Sequence, residues 1–114
     1  MHPKSPKWLD DVREACDLIL SATAGKSLDD YETDRLLRSA VERNFEIVGE
    51  ALTRLRQTDP TTAERIPECR DIIAFRNVLV HGYEFIDNRR VWQIIQRDVQ
   101  RLRDQVAELL NEAA

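Results

Sequence analysis

The sequence predicts an all-α fold: an antiparallel helical bundle of four main helices with one or two short helices, in a single domain over residues 1–114. Apolar residues recur at helical rather than alternating spacing, which is typical of amphipathic helices and not of strands. Glycine occurs three times and proline four times, so few residues interrupt such helices. A hydrophobic content of 42% in 114 residues is enough for one modest core.

The first helix begins at Ser5, because a serine followed by Pro6 matches the residues preferred at a helix cap and at the first helical position. We interpret Cys16, on its apolar face, as a small core residue. Gly25 ends this helix. The residues of the apolar face are Trp8, Leu9, Val12, Ala15, Cys16, Ile19, Leu20 and Thr23.

A short helix and a long helix follow. Ser27 and Asp30 form a capping-box-like start for the short helix, which extends through Tyr31 and leads, through a bend or break, into the long one. The inner side of the long helix is lined by apolar residues at helical spacing: Leu37, Ala40, Val41, Ile47, Val48, Ala51, Leu52 and Leu55.

Two further helices complete the predicted bundle. Asp59 and Pro60 begin a short connecting segment, and Pro67 begins the next helix. Gly82 ends that helix, and Asp87 caps the final one. Apolar residues of the final helix keep the spacing of three and four to the C-terminus: Trp92, Ile95, Val99, Leu102, Val106 and Leu109.

The charge argues against a protein that coats nucleic acid through bulk positive charge, because the formal net charge is −4 and the pI is near 5.2. A local basic site stays possible on these grounds. Arginine suits bidentate phosphate contacts but also forms solvated helix faces, and both interpretations fit the arginines near the C-terminus: Arg89, Arg90, Arg97, Arg101 and Arg103.

Two cysteines are too few for a disulfide scaffold, and the histidines, cysteines and carboxylates suggest no metal set. No signal peptide and no run of ~18 apolar residues is visible. We therefore expect a cytoplasmic protein with no metal, no cofactor and no membrane association.

Asn44 interrupts the apolar side of the long helix, where an unsatisfied amide is costly to bury. Arg43 precedes it, and Glu46 and Glu50 lie one and two helical turns beyond Arg43, so a polar cluster continues along that face. Two interpretations fit Asn44: an amide that pairs with another helix and sets the register, or a residue of a functional site.

The stretch RNVLVHGY combines Arg76, His81 and Tyr83 at the end of an apolar helix. Because Gly82 makes helix continuation unfavourable, we expect the helix to fray at His81 and Gly82, so that His81 and Tyr83 turn towards one cleft. The residues expected to anchor this helix in the core are Val78 and Leu79. The alternative is a surface arginine, a histidine that caps a helix C-terminus and a half-buried tyrosine.

This trio suits RNA phosphodiester cleavage. Arginine is a permanent cation that can grip a phosphate, and histidine exchanges protons near neutral pH. In such a reaction His81 would activate the ribose 2′-hydroxyl as the nucleophile, while Arg76 would stabilise charge developing on the phosphate. No metal is required for that chemistry.

The spacing Arg-x4-His-x-Tyr resembles the signature of the HEPN superfamily, and most of the chain resembles its HepT-like toxin branch. Three blocks carry the resemblance in the same order: SAVERNFEIVGEAL, CRDIIAFRNVLVHGY and VWQIIQRDVQRLRDQV. The family usually has a tryptophan after the proline of its PW segment, whereas this chain has Glu68 after Pro67. That departure affects packing there and leaves the signature intact.

The resemblance implies a HEPN-like bundle that forms a homodimer, with the two Arg-x4-His motifs facing one active cleft at the subunit interface. It also implies that the protein cleaves RNA, such as tRNA or mRNA, without a metal ion. Arg76 and His81 would be its catalytic pair. The residues that would support them are Asn77, Arg43, Asn44 and Glu50.

The resemblance further implies a role as the toxin of a type VII-like toxin–antitoxin pair. The partner would be an MNT-type nucleotidyltransferase antitoxin that transfers AMP from ATP to Tyr83 and so blocks the site. An adenylyl group adds bulk and negative charge, which would compete with RNA for Arg76.

Two other functions fit the residues. One is a non-catalytic nucleotide- or partner-binding subunit that presents substrate to a nucleotidyltransferase, which the net negative charge favours slightly. The other is a plain helical dimer in which Arg76 and His81 are structural.

Overall fold

The computed structural model describes residues 1–82 and 86–114, and within those ranges the chain is helical and contains no strand. The helices are α1 (Ser5–Thr23), α2 (Leu28–Thr33), α3 (Arg35–Thr58), α4 (Pro60–Ala63), α5 (Cys69–His81), α6 (Asn88–Ile94) and α7 (Gln100–Ala113). A π-helical segment, Ile95–Val99, joins α6 to α7 without a break. The predicted all-α class, with four main helices and two short ones in the described ranges, is confirmed.

The long helices pack side by side, with α3 against both α1 and α5, and with α1 also against α7. Neighbours run antiparallel: Arg76, late in α5, lies against Gly49 in the middle of α3, whereas Cys69, at the start of α5, shares a groove with Arg56 near the end of α3. One apolar core fills the space between the helices. Phe45 and Phe75 meet edge to face there, with ring centroids 5.1 Å apart.

The start of α1 differs from the prediction. Ser5 is the first helical residue and is buried, and Lys4 occupies the cap position without a side-chain cap. The Ser5 hydroxyl, which would accept from a backbone amide at a cap position, here donates to the charged Oδ2 of Asp59 at 2.8 Å. Asp59 also accepts from the Thr62 hydroxyl at 2.7 Å and the His2 amide at 3.0 Å, and so ties the N-terminus to the start of α4.

The other predicted helix ends stand close to their observed positions. The reciprocal hydrogen bonds of Ser27 and Asp30 form a capping box, and Asp87 accepts from the Arg89 amide at 3.0 Å. Gly25 follows α1 with a φ of 73°, in the region that favours glycine. The start predicted at Pro67 is wrong by two residues, because α5 begins at Cys69 after a turn.

The apolar side of α3 is rotated slightly from the predicted one. Ala40 is exposed, whereas Phe45, which the prediction omitted, is 1% exposed. The centre of the buried face therefore runs through Val41, Phe45 and Val48, and Asn44 lies at its edge.

Cys16 is a core residue, as predicted. It is 1% exposed, and burial raises the pKa of its thiol to about 12, so the reactive thiolate is scarce at neutral pH. None of the described helices combines the length and the apolar character needed to cross a membrane.

Candidate active site

Arg76 lies where α5 passes close to α3. Its side chain is only 26% exposed, and its stem passes directly over Gly49. A Cβ atom at position 49 would lie 2.3 Å from both Cβ and Cγ of Arg76. Glycine therefore allows the close approach of the two helices that places the arginine here.

The guanidinium of Arg76 is held by two neighbours. Its Nη2 donates to Oε2 of Glu50 at 3.3 Å, and its Nη1 donates to Oδ1 of Asn77 at 3.2 Å. Glu50 also accepts from Nε of Arg54 at 3.1 Å, so one carboxylate bridges two arginines. Nε of Arg76 is buried and has no hydrogen-bond partner among the described residues. Arg76 also lines the groove between α1 and α3.

Arg43 lines the same groove as Glu50 and Arg76, so the structure brings these three predicted site residues together. Arg43 is exposed, and its Nη1 donates to Oε2 of Glu46 at 3.3 Å. The polar cluster expected along this face of α3 is therefore present.

Asn44 lies apart from this group. Its amide is half-buried, and its Nδ2 donates to the Ala40 carbonyl at 2.8 Å within the same helix. It lines a neighbouring groove with Leu18, and the two grooves share Asp11 and Ile47. The helix itself thus satisfies one N–H of the amide. Among the described residues Asn44 has neither the hydrogen-bond partner on another helix that one interpretation requires nor a hydrogen bond to Arg76.

His81 is the last residue of α5 and is exposed. The helix ends where predicted, and the Gly82 amide donates to the Val78 carbonyl at 2.7 Å, but His81 keeps its helical conformation instead of fraying. Leu79 anchors this turn in the core, whereas Val78 is 51% exposed, contrary to the prediction. Since His81 is five residues beyond Arg76, it lies about 140° around the helix axis from it.

Tyr83 lies outside the described residues. The chain has one other tyrosine, Tyr31, which is 0% exposed and packs against Trp92 with ring centroids 5.6 Å apart. Burial raises the pKa of the Tyr31 hydroxyl, and Glu42 adds to the effect.

Most of the C-terminal arginines are paired with carboxylates. Arg97 pairs with Asp98 at 3.1 Å, and Arg103 pairs with Asp17 at 2.9 Å. Arg101 approaches Glu68 at 3.8 Å. This pairing favours the solvated helix face over a phosphate-binding patch.

Over residues 1–82 and 86–114, no three side chains of histidine, cysteine, aspartate or glutamate form a group that could hold a metal ion. Three residues at the site were not predicted as site residues: Gly49, Arg54 and Trp8, which was expected only on the apolar face of α1 and lines the groove from there. A glycine inside a helix of 24 residues was a usable signal, because it destabilises a helix unless packing requires it.

The fold and the Arg-x4-His helix define an all-α bundle of the HEPN type. Residues 12–109 match the family described as Ribonuclease HepT-like, and the chain belongs to that family. Membership of this family supports a ribonuclease function, with RNA as the substrate.

Curated relatives cover nearly the whole chain. "Putative RNase TTE0752" of Caldanaerobacter subterraneus subsp. tengcongensis is 28% identical over 96% of this chain and 97% of its own length. "Probable ribonuclease HepT" of Thermococcus cleftensis is 29% identical over 90% of this chain and 92% of its own. "Gamma-glutamylcyclotransferase and putative RNase MJ0434" of Methanocaldococcus jannaschii is 28% identical over 92% of this chain, which spans 47% of that longer protein. No solved structure matches significantly.

Proposed function

We propose that the chain is a metal-independent endoribonuclease and that Arg76 and His81 carry its reaction. His81 takes the proton of a ribose 2′-hydroxyl, and the resulting oxygen attacks the adjacent phosphorus. The bond from phosphorus to the 5′-oxygen breaks, which leaves a 2′,3′-cyclic phosphate on one fragment and a 5′-hydroxyl on the other once that oxygen gains a proton. Arg76 stabilises the negative charge that builds up on the phosphate oxygens.

The observation that supports this proposal best is the way Arg76 is held. The arginine is packed over Gly49 and bonded to Glu50 and Asn77, so its guanidinium is oriented before any substrate arrives. Preorganised charge of this kind is what stabilises a transition state efficiently. Arg43 lies in the same groove and supports the site from α3. Asn44 lies apart from Arg76 and lines the adjoining groove, so any support that it gives the site is indirect.

We propose a homodimer with the active cleft at the subunit interface. Arg76 faces the groove beside α3, whereas His81 lies about 140° away around the axis of α5. One copy of α5 therefore presents the two side chains in different directions, and a second copy beside it can bring an arginine and a histidine to the same phosphate. The exposed apolar side chains of Val78 and Val80, on the last turns of α5, suit burial in such an interface.

We further propose that the ribonuclease is a cytoplasmic toxin of a type VII-like pair, and that an MNT-type nucleotidyltransferase neutralises it by AMP transfer to Tyr83. Burial of Tyr31 supports the choice of acceptor, because it places the one other tyrosine of the chain out of reach of an enzyme. The added phosphate would pair with Arg76 and exclude RNA.

The decisive experiment measures cleavage of labelled RNA in excess EDTA by the unmodified protein, with intact mass confirming that Tyr83 carries no AMP. His81→Ala is expected to abolish cleavage without changing helix content. His2→Ala is the matched control, because His2 lies at the N-terminus and its backbone amide, not its ring, bonds Asp59. Cleavage that persists in His81→Ala, or that EDTA abolishes in the wild type, would overturn the proposed mechanism.

The alternative is a non-catalytic subunit that binds a nucleotide or partner and presents substrate to the nucleotidyltransferase. The net charge of −4 favours it. If tRNA and mRNA both survive the unmodified wild type, this alternative replaces the ribonuclease.

A further inference from the structure

The groove that ends at Arg76 has an aromatic wall that the proposed reaction does not use. It encloses about 380 Å³ between α1 and α3. Trp8 lines it from α1, and Ile47 and Ala51 line it from α3. A half-buried indole beside two aliphatic side chains forms an apolar surface of the kind on which flat rings stack.

Trp8 differs in its surroundings from the other tryptophan of the chain. Trp92 packs against the buried ring of Tyr31, between α2 and α6. Trp8 rests partly on the core and also borders the groove. Packing against the core accounts for the buried part of the Trp8 indole, but not for the part that lines the groove.

The formal charges of the residues that line the groove cancel. Its three arginines are Arg43, Arg54 and Arg76, and its three carboxylates are Asp11, Glu46 and Glu50. Each arginine is paired with a glutamate, and Asp11 is paired with Lys7. A balanced groove of this kind is a poor track for a polyanionic backbone. It suits an uncharged ring followed by a single phosphate.

We propose that this groove is a nucleobase subsite. A base of the RNA strand, next to the phosphate held by Arg76, stacks on the indole of Trp8 and lies over Ile47. Sequence-tolerant stacking on aromatic side chains is the usual way that proteins hold single-stranded nucleic acid. The inference rests on the proposed ribonuclease function, because it places the base relative to the phosphate that Arg76 holds.

Tryptophan fluorescence tests the contact directly. In the Trp92→Phe variant Trp8 is the single tryptophan, and a base stacked on it would quench its emission. The probe is a single-stranded RNA with 2′-O-methyl groups, which binds but lacks the hydroxyl needed for cleavage. We expect saturable quenching by this RNA and little by ribose 5-phosphate, which has the phosphate without the base.

Binding measured by fluorescence anisotropy of the same RNA tests the energetic role. Trp8→Leu keeps an apolar side chain but removes the aromatic face, and we expect binding about 5- to 150-fold weaker, the range of base stacking on aromatic residues. Trp8→Phe is expected to retain most of the affinity. Trp92→Phe is the matched control and is expected to bind like the wild type. Circular dichroism of each variant confirms the helix content.

The subsite would be overturned if the 2′-O-methyl RNA did not bind, or if Trp8→Leu bound it as tightly as the wild type does. Equal quenching by ribose 5-phosphate would also overturn it. AMP that bound as tightly as the RNA would do the same, because the groove would then be a mononucleotide site. Failure of the reaction is distinguishable from failure of the subsite. If the unmodified wild type leaves RNA intact but still binds it through Trp8, the proposed reaction is overturned and the subsite is supported. If the protein cleaves RNA but its binding of RNA does not depend on Trp8, the subsite is overturned and the reaction is supported.

Discussion

Gly49 and Arg76 are so close that a Cβ atom at position 49 would lie 2.3 Å from the Cβ of Arg76. The conflict involves the base of the arginine side chain, which cannot move away unless α5 moves with it. The distance between α3 and α5, and with it the position of the guanidinium, therefore depends on a residue that has no side chain.

Gly49→Ala is expected to destabilise the protein and impair cleavage. In an unstrained helix this change would stabilise the fold by about 0.5–1 kcal/mol, but the clash reverses the sign, since overpacking costs about 1–3 kcal/mol. Displacement of Arg76 is expected to slow cleavage by about 100-fold. Urea unfolding and cleavage kinetics measure the two effects. Gln57→Ala, at an exposed position of the same helix, is the control. A more stable and fully active Gly49→Ala would show that the close contact is unimportant.

Glu50→Gln is expected to lower kcat about tenfold with a smaller effect on KM, because the amide keeps the shape of the side chain but loses the charge that orients Arg76. Stability is expected to change by less than about 1 kcal/mol, since the side chain is 47% exposed and solvent weakens its ion pairs. Steady-state cleavage kinetics check the prediction, with Glu46→Gln, which loses the pair with Arg43, for comparison. Equal kinetics in the two variants would remove Glu50 as a positioning residue.

Asp59→Asn is expected to destabilise the fold by about 1.5–3 kcal/mol at pH 7, the range for hydrogen bonds to a charged group. Hydrogen bonds from Thr62, His2 and Ser5 hold the pKa of the Asp59 carboxyl well below its usual range. Because the folded pKa is lowered, the stabilisation is complete above the unfolded value of about 4 and declines as the pH falls towards the folded pKa. Urea unfolding at pH 7, 4 and 3 is expected to show a difference between variant and wild type that shrinks below pH 4. A constant difference would contradict this linkage.

Tyr83→Phe is expected to prevent AMP transfer by the nucleotidyltransferase while leaving cleavage intact. Tyr31→Phe is a suitable control, because the Tyr31 hydroxyl is buried and has no hydrogen-bond partner among the described residues, so its loss is tolerated. Intact-mass analysis after incubation with the transferase and ATP measures the modification. An added AMP on Tyr83→Phe would exclude Tyr83 as the acceptor.

Much of the fold was predictable from local chemistry. The capping box of Ser27 and Asp30, the cap at Asp87 and the end of α5 at Gly82 each depend on residues within one or two helical turns. One error arose where a distant residue competed for a local group. Ser5 was expected to cap α1, but its hydroxyl bonds Asp59, which is 54 residues away in the sequence.

The sequence by itself determined the helical class, most helix boundaries and the identity of Arg76 and His81 as candidate catalytic residues, because periodicity and residue chemistry are properties of short segments. Only the tertiary structure decided which side chains meet. The close crossing at Gly49, the pairing of Glu50 with Arg76, and the approach of Trp8 to the groove all join residues from different parts of the chain. Such contacts depend on how helices pack against one another, which the spacing of residues along a single helix does not specify.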